Sequence, residues 1–234
     1  MRKNNMMRLF ALVLAMMLVL CACGDSKESI SGNLTPLEPA ATEAPEKEMS
    51  LGRMEGGVYT NDYVGFQISL TSDWVYYSAE ELQDIPENVA EMFKDSELGQ
   101  SIDTMNQFTD MMAESAEALA SINVLCQKLD TQTRLAYSMM DDETILDEVL
   151  KQSDMMIESY ASAGITVYSM EKTTVNFLGE ERFALKTNAS IEGIPYYTLQ
   201  VFEYHLGQYS VTITFGTYLE DNTESLLELC SPIA

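Results

Sequence analysis

The sequence predicts an α+β fold in which helices cover an antiparallel sheet. Residues 174–216 contain four strand-like segments separated by short turns. Strands that are joined by short turns lie next to each other and pair antiparallel. Residues 141–164 instead place apolar side chains at the spacing that is typical of a helix packed on one face.

The domain begins with a predicted hairpin. Residues 58–61 and 66–71 alternate apolar and polar side chains on either side of the turn-forming residues 62–65. A helix is expected to follow, because Ser78 and Glu81 have the spacing of a capping box.

The middle of the chain is predicted to be mainly helical. Residues 98–118 carry apolar side chains at helical spacing, namely Ile102, Met105, Phe108, Met112 and Ala116. Residues 121–129 have the composition of a strand. Acidic residues at its start and Gly164 after its end favour a single helix over residues 141–164. Residues 165–170 are predicted to form a short strand.

The last third of the chain is rich in predicted strands. They cover residues 174–178, 182–190, 196–205 and 208–216. The last of these strands has a clean inward face, made of Tyr209, Val211, Ile213 and Phe215. A final helix is predicted to end at Leu229, with Asp221 and Glu224 at its capped start.

The charge of the chain restricts its partners. Its 234 residues include 13 Lys and Arg against 37 Asp and Glu, which gives a formal net charge of −24. This balance argues against nucleic acid, where neutralisation of phosphates by Lys and Arg supplies most of the affinity. It also argues against docking on anionic lipid. Basic protein surfaces, neutral molecules and cations remain as partners.

Residues 1–22 have the pattern of a bacterial signal peptide. Basic residues precede an apolar run over residues 9–20, which is too short to cross a bilayer core of about 30 Å. The tetrapeptide LCAC that follows resembles the bacterial lipobox. The resemblance implies cleavage before Cys23 and attachment of acyl chains such as palmitate to that residue. The protein would then be extracytoplasmic and anchored to the bacterial cell membrane by lipidated Cys23.

A tether and one domain are predicted after the signal peptide. Residues 23–56 are rich in Ser, Glu, Ala, Pro and Thr, and they cannot bury enough apolar surface to offset the entropy of ordering. We therefore expect a lipidated N-terminus followed by a disordered tether. Aromatic residues and apolar periodicity begin at residue 57, so residues 57–234 are predicted to form a single α+β domain.

Two stretches of the predicted domain carry a resemblance to a known family. The first joins residues 59–61 and 65–70 to Asp73-Trp74, and the second is residues 173–180, which precede a strand meander and a last helix. Both resemble the PsbP-like family, which includes the DcrB-like bacterial lipoproteins. The resemblance implies an α/β/α sandwich and a non-enzymatic accessory protein that binds other proteins. It supplies no catalytic residues.

Four residues are candidates for a ligand or interaction surface: Glu203, His205, Trp74 and Tyr76. Strand alternation places Glu203 and His205 on one face, where they would act as a base or metal ligand, or simply belong to a solvated face. Trp74 and Tyr76 lie in an aromatic cluster that would stack on sugars. Alternation also allows part of this cluster to face the core.

The sequence contains no familiar catalytic or metal motif. Cys126 and Cys230 either form a disulfide or remain separate buried thiols. The acidic residues 141–143 suit a helix N-terminus or a weak Ca²⁺ site. The 16 methionines suit core packing, an adaptable binding surface or Cu(I) binding. No cofactor and no resident metal are predicted.

These observations favour a non-catalytic protein-interaction or accessory module of the cell envelope over an enzyme. The alternative is a carrier for a small ligand or a cation, either Ca²⁺ or Cu(I). A hydrolytic enzyme is the least favoured, because the chain has a single histidine, His205, and no nucleophile motif.

The lipid anchor makes a direct prediction. Cys23→Ala removes the sulfur that would carry the diacylglyceryl group, so labelling of the protein by a fatty-acid analogue in cells should stop. Cys21→Ala is the matched control, because Cys21 lies in the segment that is cleaved away, and it should leave the labelling unchanged. Persistent labelling of the Cys23→Ala protein would contradict the lipoprotein assignment.

Overall fold

The computed structural model describes residues 48–84, 107–204 and 207–233. The strands are β1 (Arg53–Glu55), β2 (Val58–Asn61), β3 (Phe66–Ser69), β4 (Trp74–Tyr76), β5 (Gln107–Ser115), β6 (Ala120–Lys128), β7 (Ile165–Phe177), β8 (Glu180–Ile191), β9 (Ile194–Glu203), β10 (Tyr209–Tyr218) and β11 (Cys230–Pro232). A large sheet has the order β4-β5-β6-β10-β9-β8-β7, and a small sheet has the order β1-β2-β3-β11. The neighbouring strands that the structure describes in both sheets pair antiparallel.

Three helices lie between β6 and β7 in the chain. They are α1 (Thr131–Ser138), α2 (Asp142–Leu150) and α3 (Ser153–Ser162), and a 3₁₀ helix over Thr223–Leu229 precedes β11. Residues 79–84 are also helical. No helix in these described parts of the chain is long and apolar enough to cross a membrane.

The core has two layers, one on each face of the large sheet. On one face the helices pack on the strands through a cluster that includes Leu125, Leu185, Leu146, Val149 and Tyr160. On the other face the small sheet and the 3₁₀ helix pack on the same strands through a cluster that includes Phe66, Ile68, Val124, Ile213 and Phe215. The central strands are therefore buried on both faces.

Several sequence-based predictions are confirmed. The chain has the predicted antiparallel α+β fold, with the hairpin β2–β3 and the late strands β8, β9 and β10 near their expected positions. Ser78 and Glu81 form the capping box: the Ser78 Oγ accepts from the Glu81 amide at 3.3 Å, and the Glu81 Oε2 accepts from the Ser78 amide at 2.8 Å.

The prediction of a helix over residues 98–118 is wrong where the structure describes it. Residues 107–115 form strand β5, and residues 98–106 lie outside the described residues. The strand is buried on both faces, so Met111 and Met112 are both in the core and the polar alternation that identifies a strand is missing. Buried apolar residues at mixed spacing then resemble a helix.

The single helix predicted over residues 141–164 is two helices, because α2 ends at Leu150 and α3 begins at Ser153. Helix α1 was not predicted, although Asp130 caps it by accepting from two backbone amides. The short strands predicted at 165–170 and 174–178 are parts of β7, which continues through a bulge between Val167 and Ser169.

The last predicted helix is a 3₁₀ helix. The carboxylate of Asp221 accepts hydrogen bonds from the amide and the hydroxyl of Thr223, at 3.3 Å and 2.8 Å. The residue at the N-cap position is Asn222, and its side chain makes no capping hydrogen bond. Glu224 points instead towards Lys186, at 3.5 Å.

The burial of Trp74 generates a stability prediction. The ring is only 9 % exposed and belongs to the apolar cluster between the two sheets, so Trp74→Ala should lower the free energy of unfolding by roughly 3–5 kcal/mol. The neighbouring Val75 is 62 % exposed on the same strand, and Val75→Ala should change the stability by less than about 0.5 kcal/mol. Chemical denaturation measures both, and equal effects would contradict this placement of the ring.

Candidate functional site

An open groove of about 670 Å³ lies where the two sheets end. Strand β7 is the last strand of the large sheet, and β11 is the last strand of the small sheet. The groove is lined by Thr174, Val175, Asn176, Leu178, Gly179, Glu224, Leu227, Glu228, Cys230, Ser231 and Pro232. Its volume is within the usual range of ligand pockets, about 300–1,000 Å³.

In the β7 wall of the groove, the backbone N–H and C=O groups of alternate residues are not paired with another described strand. Leu178 and Gly179 have φ of 56° and 87°, which makes a two-residue turn of the hairpin type, and Phe177 and Glu180 pair on either side of it. Because hydrogen-bonded and non-hydrogen-bonded pairs alternate along antiparallel strands, the N–H and C=O groups of Thr174 and Asn176 point away from β8. Both residues line the groove.

The opposite wall is made by the 3₁₀ helix and β11. Val175 is buried at the base of the groove, and Leu227 and Cys230 are partly buried beside it. Glu224 and Glu228 are exposed on the rim. An apolar floor with an acidic rim suits an occupant that has both apolar and basic groups.

A carboxylate on β5 connects the small sheet to the large sheet. The Oδ2 atom of Asp110 accepts hydrogen bonds from the Tyr59 hydroxyl at 2.5 Å, the Asn61 side-chain amide at 2.9 Å and the Gly52 backbone amide at 2.9 Å. These bonds fix the small sheet on the large one. Burial and the neighbouring Asp110 carboxylate raise the pKa of Tyr59 well above its ordinary value, so the hydroxyl remains a donor.

The small sheet then carries β11 to the groove. Strand β11 pairs with β3 through Cys230 opposite Ile68 and Ser231 opposite Gln67. The Gln67 side-chain amide also donates to the Ser231 hydroxyl at 3.1 Å. Aromatic contact between Phe66 and Phe177, with ring centroids 6.2 Å apart, connects the same hairpin to the end of β7.

The two cysteines of the domain are free thiols. Cys126 is buried in β6, and burial raises its pKa above the ordinary value. Cys230 lies in the groove, where burial raises its pKa to about 12. Both are therefore protonated at neutral pH, and neither is an activated nucleophile.

A second notable feature is a row of buried polar side chains on the helix-facing side of the large sheet. Asn123, Thr214 and Gln200 are neighbours on β6, β10 and β9, and each is at most 1 % exposed. The Gln200 Nε2 donates to the Thr214 Oγ1 at 3.2 Å. The Asn123 Oδ1 and the Gln200 Oε1 have no hydrogen-bond partner among the described residues. A buried polar atom without a partner costs about 1–3 kcal/mol, so this row is a candidate ligand surface.

The sequence does indicate the polar row, through alternation of polar and apolar residues on two strands. Thr212 and Thr214 alternate with Ile213 and Phe215 along β10, and Gln200 alternates with Leu199 on β9. This alternation suggests a strand with one face in water, whereas helices cover that face here. The groove had no such signal, because its walls come from residues that are far apart in the sequence.

Among the predicted site residues that the structure describes, Glu203 lies apart from Trp74 and Tyr76. Trp74 is a core side chain on β4, and the partly buried Tyr76 donates its hydroxyl to the Gly57 carbonyl at 3.1 Å. Glu203 is on β9, which three strands separate from β4, and it lies 3.8 Å from Arg182. His205 lies outside the described residues.

Arg182 is the centre of a small ion cluster. Its guanidinium lies 2.8 Å from Glu180 and 3.8 Å from both Asp142 and Glu203. The side chain of Glu203 is 14 % exposed and thus has a cationic neighbour within the fold. Within the described ranges, no three His, Cys, Asp or Glu side chains are arranged to hold a metal ion.

Comparison with known proteins supplies no family assignment. No protein-family model and no curated protein matches the sequence. Solved structures that resemble the chain include a solution structure of cyanobacterial PsbP from Synechocystis, with 7% identity and a TM-score of 0.41, over 82% of this chain and 98% of that one. A crystal structure from Bacteroides thetaiotaomicron has 11% identity and a TM-score of 0.37, over 77% of this chain. The chain spans about half, 50%, of the Bacteroides protein. Both TM-scores are below 0.5, so neither likeness bears on function.

The thiol in the groove gives a pH-dependent prediction. Only the thiolate of Cys230 reacts with iodoacetamide, and a pKa of about 12 keeps that form scarce. Between about pH 7 and pH 9 the alkylation rate of the folded protein should therefore rise about tenfold per pH unit without levelling off. Mass spectrometry of the Cys230 peptide measures the rate.

The same residue in urea-unfolded protein is the control. There the rate should level off near the ordinary cysteine pKa of about 8.5. A plateau at that pH in the folded protein would show that Cys230 is solvated as in the unfolded chain, contrary to its position in the groove.

Proposed function

We propose that this protein is a non-catalytic interaction module of the bacterial cell envelope. In this proposal lipidated Cys23 anchors the chain to the outside of the cell membrane, and residues 23–56 act as a tether. The domain beyond the tether binds a protein partner in the groove between β7 and β11. The module would act as an accessory or assembly factor for that partner.

The observation that carries the proposal is the groove itself. It is open to solvent, and it combines an apolar floor at Val175 and Leu227 with the acidic rim residues Glu224 and Glu228. The groove contains a thiol, Cys230, and carboxylates. Burial raises the pKa of Cys230 to about 12, so this thiol is not an activated nucleophile. Binding is the chemistry that such a lining supports best.

The charge of the chain supports a protein partner with basic groups. A net charge of −24 favours association with positively charged surfaces and raises the rate at which they meet. A tether of some 30 residues reaches about 30 Å, which allows the domain to search for a partner at a distance from the membrane.

A second candidate function is binding of a small ligand, and the buried polar row favours it. Among the described residues, the Asn123 Oδ1 and the Gln200 Oε1 lack hydrogen-bond partners, and the hydroxyl of Thr198 on the same face also has none. These groups are uncharged donors and acceptors, so they suit a neutral polar molecule. The cation alternatives, Ca²⁺ and Cu(I), find less support, because this row contains no carboxylate or thiol, and Met112, opposite Asn123 on β5, brings one thioether to it.

Photocrosslinking in intact cells tests the proposal. The full-length protein carries Pro232→benzoylphenylalanine on the groove rim, or Glu158→benzoylphenylalanine on the exposed face of α3 as the matched control. We expect one envelope protein to be captured repeatedly from the groove position and at most weakly from the control position, as measured by mass spectrometry of the crosslinked products.

Two results would contradict the proposal. Equal capture of the same protein from both positions would show that the groove is not the binding site. Absence of any recurrent protein from both positions would contradict the interaction module and favour the small-ligand alternative.

A further inference from the structure

Strand β7 is a sheet edge that is protected in its first half and open in its second half. The first half contains the bulge between Val167 and Ser169 and the charged residues Glu171 and Lys172. Bulges and charges are the usual devices that keep an edge strand from pairing with another chain. Residues 173–177 have neither, although they are a regular part of the strand.

The charge of Lys172 is also directed away from the open half. Its ammonium lies 2.9 Å from Glu143 and 2.6 Å from Asp147, both on α2. The cation is therefore held over the helix-covered face of the sheet. None of the described residues that line the groove is basic.

In the open half of β7, backbone N–H and C=O groups on the side away from β8 face no other described strand. Thr174 and Asn176 direct their N–H and C=O groups away from β8, as the hairpin geometry requires, and both line the groove. A chain that lies extended in the groove is in the position of the next strand of the large sheet. β-strand addition of this kind supplies affinity through the backbone, and side-chain pockets supply selectivity.

We propose that the groove receives an extended segment of the partner protein, which pairs with residues 173–177 as an added antiparallel or parallel strand and carries Lys or Arg opposite Glu224 and Glu228. This inference rests on the proposed function and specifies its partner. Alternate side chains of the segment are apolar, because Val175 and Leu227 form the floor.

The chain itself offers two other occupants of the groove, its own residues 24–47 and a second copy of the protein. Charge argues against both. Residues 24–47 hold five Asp and Glu against two Lys, and they contain three prolines. Such a segment would meet the acidic rim with like charge, and its prolines cannot donate backbone hydrogen bonds. A second copy of the chain would bring another net charge of −24 to the same edge.

The carboxylate best placed to select a basic segment is Glu228. Glu224 is already 3.5 Å from Lys186, which also lies 2.8 Å from Asp221. In the described part of the chain, no cation lies within ion-pair distance of the exposed Glu228, so it is available to a partner. An ion pair at this rim contributes modestly to affinity and is weakened by salt.

A labelled ten-residue peptide of alternating valine and lysine tests the inference with the purified full-length protein in detergent, by fluorescence anisotropy. The matched peptide of alternating valine and glutamate should bind much more weakly. Two further peptides are N-methylated on every second residue, one on the odd and one on the even positions. Each keeps its charge but loses the backbone N–H donors along one edge of the strand. We expect one of these two peptides to lose most of the binding.

Variants of the protein locate the binding. Asn176→Pro removes an outward N–H and no β7–β8 hydrogen bond, so it should weaken binding about fivefold or more. Glu228→Gln should weaken it about two- to fivefold, and Glu158→Gln on α3 should leave it unchanged. The N-methylated peptides leave the protein intact, so they keep the test decisive where Asn176→Pro lowers stability.

The outcomes separate this inference from the proposed function. Equal binding of N-methylated and unmodified peptides, or preference for the glutamate peptide, overturns the added basic strand. Absence of peptide binding, together with a partner crosslinked from position 232, overturns the inference and leaves the interaction module standing. Absence of both peptide binding and crosslinked partner overturns the inference and the proposed function together.

Discussion

One carboxylate joins the two sheets by hydrogen bonds, beside the apolar cluster that packs between them. Asp110 lies at the bulge of β5, where the chain is unpaired and a side chain can be directed towards the small sheet. There it accepts hydrogen bonds from Tyr59, Asn61 and Gly52, and each bond to a charged acceptor contributes about 1.5–3 kcal/mol. Strand β2 is fixed in this way, β3 pairs with β2, and β11 pairs with β3. Strand β11, in the wall opposite β7, is therefore connected to Asp110 through β3 and β2.

Two sheets that end beside each other create a site without catalytic residues. Pairing of a sheet edge needs only backbone groups, and the surrounding side chains decide which segment fits. In the proposed complex, the apolar floor at Val175 and the acidic rim at Glu228 would favour segments with alternating apolar and basic residues. The bulge at residues 167–169 and the engaged Lys172 protect the rest of the edge. A net charge of −24 also makes copies of the protein repel each other, which disfavours self-association through the open edge.

Local patterns predicted much of the fold, and they failed where burial or long-range contact determines the structure. The capping box at Ser78 depends on neighbouring residues, so the sequence was sufficient to predict it. The turn between β7 and β8 was expected at Gly179-Glu180 and lies one residue earlier, at Leu178-Gly179. Strand β5 was mistaken for a helix because it is buried on both faces and has no polar alternation. The groove depends on residues that are distant in the sequence, such as Asn176 and Cys230, which no local pattern connects. Trp74, which the sequence allowed either on a ligand surface or in the core, packs in the core between the sheets.

Hydrogen exchange at single-residue resolution tests most directly whether the second half of β7 is an open edge. In the free protein, the amides of Thr174 and Asn176 should exchange rapidly, whereas those of Val175 and Phe177, which pair with β8, should be protected. This alternating pattern is the signature of a strand that is paired on one side only. Strong protection of all four amides would mean that the edge is already covered, and it would contradict the account of the groove as a docking site.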